Sequence, residues 1–450
     1  MKNLNRKNLI LRQLIRKLYF LLVLPACLPV RAQECYDLSR CVLSGLENNF
    51  SVRIARKEQD AAALNVTRGN AGALPVINAE SGFGGTVNTT RQTPREGEKQ
   101  TSRGIHNTSG GMGLDLDLTL FRGFQVRTTY RKLEELRRMG ELNTQMTMEN
   151  LVSQIVSEYY YYIQQLNLYN NMAYAVELSR ERVRIDEERY LLGASSKLDL
   201  LQSMVYLNED SSRYARQNEV LRSSLIRLST LMGIVDGASG LKLQDTTILI
   251  NPGLNYKNLL TLTLAQNTSL LVARKNREIS ELDYKIIVSR SYPYLSLSSG
   301  YNYDIYGYDS GSLEKQRIHG MNYQLSLEVD LFDGQNRRRE KATSRIELEN
   351  RKYAYQEVEQ QVRAELQTLF FAYENHLRLL ELEKQNLSVA RENLEIALER
   401  YKLGALSGLE LREVQKSLLD AEERLISVKY ETKIAEISLF QISGKIMDYV

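Results

Sequence analysis

A chain written twice to one plan must fold as two copies of one unit, and this chain repeats itself over nearly its whole length. Ala55-Arg56-Lys57 recurs as Ala273-Arg274-Lys275, and Asn49, Pro75 and Gly82 recur as Asn267, Pro293 and Gly300, each 218 positions later. Farther along, Phe121, Gly123, Tyr190, Gly193 and Gly233 recur as Phe332, Gly334, Tyr401, Gly404 and Gly444, now 211 positions later. The spacing changes once, between residues 82 and 121. The long segments on either side tolerate no insertion, whereas something inside that window does.

The window reads as a β-hairpin. Ile77, Ala79, Ser81 and Phe83 alternate with Asn78, Glu80, Gly82 and Gly84, and Leu114, Leu116, Leu118 and Leu120 alternate with Asp115, Asp117 and Thr119. Period-two alternation gives each strand two unlike faces. The second copy repeats it, with Tyr323, Leu325, Leu327, Val329 and Leu331 set against Gln324, Ser326, Glu328 and Asp330. The expected strands cover about 75–87 and 113–121, then about 293–305 and 322–332, each long enough to cross a bilayer when tilted. Polar loops are expected between them, from Asn88 to Gly111 and from Gly307 to Gly320.

The remaining segments read as long helices. From Gln125 to Arg189 there is no proline, and Leu151, Ile155, Tyr159, Ile163, Leu166 and Val176 recur at about three and four residues. Such a helix spans about 98 Å. Shorter helices are expected over about 38–70 and 198–232, so one continuous helix lies beside two stacked end to end, as in a coiled coil. The repeats are 33–250 and 251–450. Their turns, ERYLLGASSKLD and ERYKLGALSGLE, fall at 190–199 and 401–410.

Residues 1–32 behave as a leader. Lys2, Arg6, Lys7, Arg12, Arg16 and Lys17 precede an apolar run from Leu18 to Val30, and Val30-Arg31-Ala32 suits a signal peptidase. A second cleavage fits after Leu24-Pro25-Ala26 and would leave Cys27 for lipidation. With an exported chain, Cys35 and Cys41 are a candidate disulfide. No other stretch is apolar for the roughly 20 residues a spanning helix needs, so entry into a membrane must be by strands. The charge of +4 is small for 450 residues, and its basic and acidic residues are interspersed. That leaves no footprint for nucleic acid.

Four strands cannot close a membrane barrel, and an open edge in lipid leaves backbone groups unsatisfied. Copies of the chain must therefore share one; two give eight strands and no aqueous channel, whereas three give twelve.

The prolines opening each first strand (Pro75, Pro293), the Leu-Phe-x-Gly closing each second strand (from Leu120 and Leu331) and the duplicated Arg-Tyr-x-x-Gly turn resemble those of the TolC-like outer-membrane efflux family, from about Cys35 to Gly444. The resemblance implies an α+β membrane protein. It implies a homotrimer whose twelve-stranded β-barrel, in the outer membrane of a Gram-negative bacterium, continues into a periplasmic α-helical tunnel. It implies an exit duct for a tripartite efflux pump or a type I secretion system, met by a periplasmic adaptor and an inner-membrane pump of the RND, ABC or MFS type. By position it makes Tyr401 and Asp199 a hydrogen-bonded gate pair, with Glu410 and Glu413 as acidic rings at the constriction. Leu198 and Leu406 stand where the family's second polar link belongs and imply apolar contact instead. It places adaptor docking at Arg189, Tyr190, Gly193, Ser196, Arg400, Gly404 and Ser407.

Asp115, Asp117, Glu328 and Asp330 alternate with lipid-type residues and are expected to line the barrel lumen, with outer-membrane lipid on the opposite face. The three histidines belong to no metal-ligand motif, and Gly444-Lys445 lacks the glycine a phosphate loop requires. No cofactor, metal or catalytic residue is expected. The competing reading is a periplasm-spanning scaffold or adhesin without transport, which would have no use for acids alternating inside the strands.

Overall fold

A computed structural model describes residues 35–234 and 241–449. The predicted leader, both cleavage sites and Cys27 lie outside the described residues. Two rounds of the same elements follow each other. The first comprises β1 (Cys35–Tyr36), α1 (Leu38–Asn48), α2 (Phe50–Leu64), β2 (Val76–Gln92), β3 (Gln100–Arg122), α3 (Gln125–Leu191) and α4 (Lys197–Leu231). The second comprises β4 (Lys242–Leu243), α5 (Tyr256–Gln266), α6 (Thr268–Ser289), β5 (Tyr294–Gly307), β6 (Lys315–Glu328), α7 (Asn336–Lys402) and α8 (Gly408–Ile442), closed by a 3₁₀ turn at Ile446–Tyr449.

The long helices α3 and α7 have 67 residues each, about 100 Å at the helical rise. Each pairs with one short helix toward the sheet and another toward the far end: α3 with α2 and α4, α7 with α6 and α8. The expected single helix over 38–70 is instead two, broken at Asn49, and the second repeat breaks identically at Asn267. Each asparagine caps the helix that follows, accepting from Ser51 N or Leu270 N. Its amide donates to the last turn of the helix stacked beneath, Asn49 to Leu231 O (3.0 Å) and Asn267 to Ile442 O (2.9 Å). The break satisfies carbonyls that every helix end leaves without partners. Gly233 and Gly444 end the lower helices at φ of about 70° and press against Asn48 and Gln266, where any Cβ would collide.

The apolar spacing in α3 becomes the main core. Ile155, Tyr159 and Ile163 are fully buried with Cys41 of α1, Val52 of α2, Leu228 of α4, Ile437 of α8 and Ile446. This cluster knits both repeats and the C-terminal turn into one belt at mid-height. Cys41 lies inside it, and burial above all raises its thiol pKa to about 12. Cys35 is exposed in β1, which pairs with β4, and both cysteines are free. The candidate disulfide is thus absent because α1 begins at Leu38 and carries Cys41 into the core.

The four long strands form one antiparallel sheet in the order β2-β3-β5-β6. Pairing of Asp115 with Gly300 and Asn78, and of Gly300 with Asn322, puts the polar series on one face. Leu114, Tyr301, Ala79 and Met321 pair on the other. The strands are longer than expected, at 17, 23, 14 and 14 residues. Most of the predicted Asn88–Gly111 loop is strand, continuing as a two-stranded ribbon past the last β3–β5 pair at Thr108 and Gly307. Among the described residues no helix is long and apolar enough to cross a membrane.

Candidate functional site

The two repeated turns end the helical columns at the pole opposite the sheet. Each has the same local chemistry. Gly193 and Gly404 take φ of 70° and 78° just past the long helices, a conformation that costs glycine little. Ser196 and Ser407 then open α4 and α8 with capping boxes. The Ser196 hydroxyl accepts from Asp199 N at 3.2 Å while Asp199 accepts from Ser196 N at 3.1 Å; Ser407 and Glu410 do the same at 3.2 and 2.9 Å. Hydrogen bonds from these serines hold both carboxyls below the usual range.

Asp199 therefore does not meet Tyr401 within the chain. Its Oδ2 is taken by Ser195, Ser196 and the Ser196 amide. The Tyr401 hydroxyl donates instead to Asp186, one turn above the end of α3. Tyr401 is 2% exposed and Asp186 1%. Burial first, then the Asp186 hydrogen bond, push the phenol up to about 12. Arg182, one turn earlier on α3, lies 3.6 Å from the other Asp186 oxygen. Arg189 donates to Tyr401 O at 2.6 Å and its guanidinium sits 4.7 Å from the ring centre. Gly408 is where Arg182 needs room, since a Cβ there would lie 2.7 Å from its Nη2.

One helical layer deeper, Arg412 of α8 grips Asp210 of α4 with two bonds of 2.8 and 2.9 Å. Ser179 of α3 also donates to Asp210. Burial opposes the Arg412 charge, but Asp210 outweighs it and the guanidinium pKa is raised. Tyr206 joins the two layers, its ring 5.1 Å from the Arg182 guanidinium and 4.9 Å from that of Arg412. The result is one buried polar network that ties the α3–α4 coil to the α7–α8 coil through Tyr401 and Arg412.

The remaining predicted tip residues fall around this network. Leu198 and Leu406 line the same cleft of about 550 Å³ as Arg182, Asp186, Asp199 and Tyr401, without a polar link between them. Glu410 and Glu413 are exposed on α8, outside the network. Arg189, Ser196 and Ser407 are occupied by the internal bonds above, and Arg400 reaches only its own turn, at Ala405 O. The outermost surface is made by Tyr190 and by three residues sequence reasoning missed: Leu191, Leu192 and Leu403 are 77–83% exposed.

Arg182, Asp186, Asp210 and Arg412 were also missed. A signal for them existed in the repeat itself. At the equivalent positions of the other half stand Asn393, Ala397, Ala421 and Leu201, and Lys197 stands opposite Gly408. Charge where the copy is small or apolar, inside an otherwise matched helix, marks the network.

At the other pole, Asp115, Asp117 and Glu328 share the polar face of the sheet by register, joined by Glu80 and Asp304, while Asp330 lies two residues past β6. No group of three or more metal-ligating side chains occurs among the described residues.

Comparison with known proteins bears on both poles. The family model described as "Outer membrane efflux protein" matches residues 44–234 and 259–445, one stretch in each repeat. The probable outer membrane lipoprotein SilC of Salmonella typhimurium is 23% identical, covering 91% of this chain and 86% of that protein. The outer membrane protein TolC of Vibrio cholerae is 21% identical over 89% of each. A crystal structure of CusC, described in terms of folding and transmembrane channel formation, superposes with a TM-score of 0.73 at 17% identity, covering 90% of this chain and 92% of that one.

Proposed function

The chain belongs to the outer membrane efflux protein family, and on that footing we propose that it is the outer-membrane exit duct of a tripartite pump, latched at its periplasmic end by the buried network between the coils. The protein resides in the Gram-negative outer membrane and reaches into the periplasm through its helical columns. Its family is one of efflux channels, and a conduit requires binding and passage, not catalysis.

The single observation that carries this reading is the sheet. It has one apolar and one acidic face, both outer edges (β2 and β6) unpaired among the described residues, and long helices leaving both its second strands. Edges of that kind persist in a bilayer only if another chain pairs them. Three chains pairing β2 to β6 in a ring make a twelve-stranded barrel, wide enough for water, with Asp115, Asp117, Glu328 and Asp330 toward the lumen. Six coils then hang from it and converge where Tyr401, Arg412 and the capped turns lie. Glu410 and Glu413, exposed in one chain, form rings about the threefold axis in this arrangement. Leu191, Leu192, Leu403 and Tyr190 form the surface on which a periplasmic adaptor docks, linking the duct to an inner-membrane pump.

Cysteine at Met321 on β6 combined in turn with cysteine at Ile77, Ala79, Ser81, Phe83, Gly85 or Val87 along the lipid-facing side of β2 tests the assembly and allows for the stagger of a closed barrel. Oxidation of the membrane-inserted protein is expected to give a covalent trimer at one of these pairings. A ladder that stops at dimer, or no crosslink from inserted protein at any of them, contradicts the ring.

A further inference from the structure

Where β3 gives way to α3, at the foot of the sheet, a groove of about 510 Å³ is lined by Arg68, Arg122 and Arg127 together with Phe121, Phe124 and Tyr130. No carboxylate lines it. Three other basic residues at this level are neutralised: Lys132 by Asp283 at 2.5 Å, Arg290 by Glu340 at 2.9 Å and Arg337 by Asp333 at 2.9 Å. Among the described residues, the three groove arginines have no acidic partner; Arg122 faces the Tyr294 ring at 5.2 Å on the polar face of the sheet, which leaves Arg68 and Arg127 for a ligand on the other side. Phe121 and Phe124 stack edge to face at 5.3 Å, and Phe124 is 62% exposed.

Aromatic rings at the end of a lipid-facing strand mark the headgroup level, and here it is the level facing the long helices and so the periplasm. Two unpaired guanidiniums, those of Arg68 and Arg127, beside the exposed Phe124 ring offer forked donors to a phosphate and an apolar wall to the carbons beneath it. We propose that this groove binds an anionic glycerophospholipid of the periplasmic leaflet, with its phosphate on Arg68 and Arg127 and its first acyl carbons on Phe121 and Phe124. The repeat sharpens the claim. The second half keeps Arg338 and Phe332 at the positions equivalent to Arg127 and Phe121 but has Ile286 and Gln335 in place of Arg68 and Phe124, and so lacks half of the site. The site therefore exists once per chain, not twice.

The inference rests on the sheet's placement in the outer membrane but not on transport, so it is tested without any current. The purified full-length protein in detergent is titrated with dioleoyl phosphatidylglycerol, dioleoyl phosphatidylcholine or sodium phosphate, and bound molecules are counted by native mass spectrometry. One phosphatidylglycerol per chain is expected, preferred over phosphatidylcholine by on the order of tenfold or more. Phosphate alone is expected not to displace it. Arg68→Gln with Arg127→Gln should abolish the preference, and Arg68→Lys with Arg127→Lys should keep part of it. Equal retention of the two lipids, two lipids per chain, displacement by phosphate, or a glutamine variant that keeps the preference each overturns the proposal. If the glutamine variant does not assemble, the wild-type lipid ratio decides.

Discussion

The Tyr401 hydroxyl donates to the Asp186 carboxylate across the seam between the two coils, and both groups are almost wholly out of water. A hydrogen bond to a buried charge is worth about 1.5–3 kcal/mol, and an acceptor stripped of it keeps the cost of burial. Tyr401→Phe leaves ring packing intact and removes only that bond. Closed-state conductance of the variant is expected to rise several-fold in single-channel recordings; a closed state as tight as the wild type's would reduce Tyr401 to packing.

The second layer makes a stronger prediction because both charges are buried. Arg412→Leu alone strands Asp210 and should destabilise the tip by about 3–5 kcal/mol, seen as a lower thermal transition or faster proteolysis there. The double change Arg412→Leu with Asp210→Ala writes in the other repeat's own residues, Leu201 and Ala421, and should recover most of that loss. A double variant as unstable as the single one contradicts a paired network.

Acid and alkali act on different parts of the tip. The Asp199 and Glu410 carboxyls are held below their ordinary values of 3.8 and 4.5 by the capping serines, so their contribution is complete above those values. It is lost as pH falls through the lower folded values. The Tyr401 phenol is raised from 10.0 to about 12, so its contribution is complete below 10 and lost as pH climbs toward 12. Protection of the tip amides against hydrogen exchange, relative to the intrinsic rate at each pH, is expected to be flat from pH 5 to 9 and to fall beyond both limits. Ser196→Ala with Ser407→Ala should remove the acid limb while leaving the alkaline one, and an unchanged acid limb contradicts the capping role.

At mid-height, Asn267→Ala removes a cap and a bond to Ile442 O together. About 1 kcal/mol for each is expected, visible as a thermal shift of the assembled protein. Asn267→Asp keeps the cap and loses the donor, and should fall between; a neutral alanine variant would contradict the junction's role.

Much of this architecture was legible because it is periodic. Alternating residues such as Leu114 to Leu120 can serve only a two-faced strand, and the proline-free run from Gln125 only a long helix. The matched Asn49 and Asn267 were visible as repeats, yet their meaning was not, since a break that caps one helix and closes another exists only once the two are stacked. Within the chain Tyr401 bonds Asp186 and not the expected Asp199, for a related reason. Asp199 has a serine three residues before it, and local capping claims its carboxylate before any distant phenol can. Asp186 and Asp210 gave no motif because their partners lie 215 and 202 residues away. Comparison of the halves, where Ala397 and Ala421 take their places, was the only route to them.

In the proposed duct, three copies of this chain enclose one water-filled passage closed at the tip by the network around Tyr401. Planar-bilayer recording of the purified, assembled protein tests it most directly, with Tyr401→Phe and Arg412→Leu measured beside the wild type. A small steady ionic current is expected in the wild type and a larger one in both variants. A correctly assembled protein that conducts no ions, in wild type and variants alike, would contradict it.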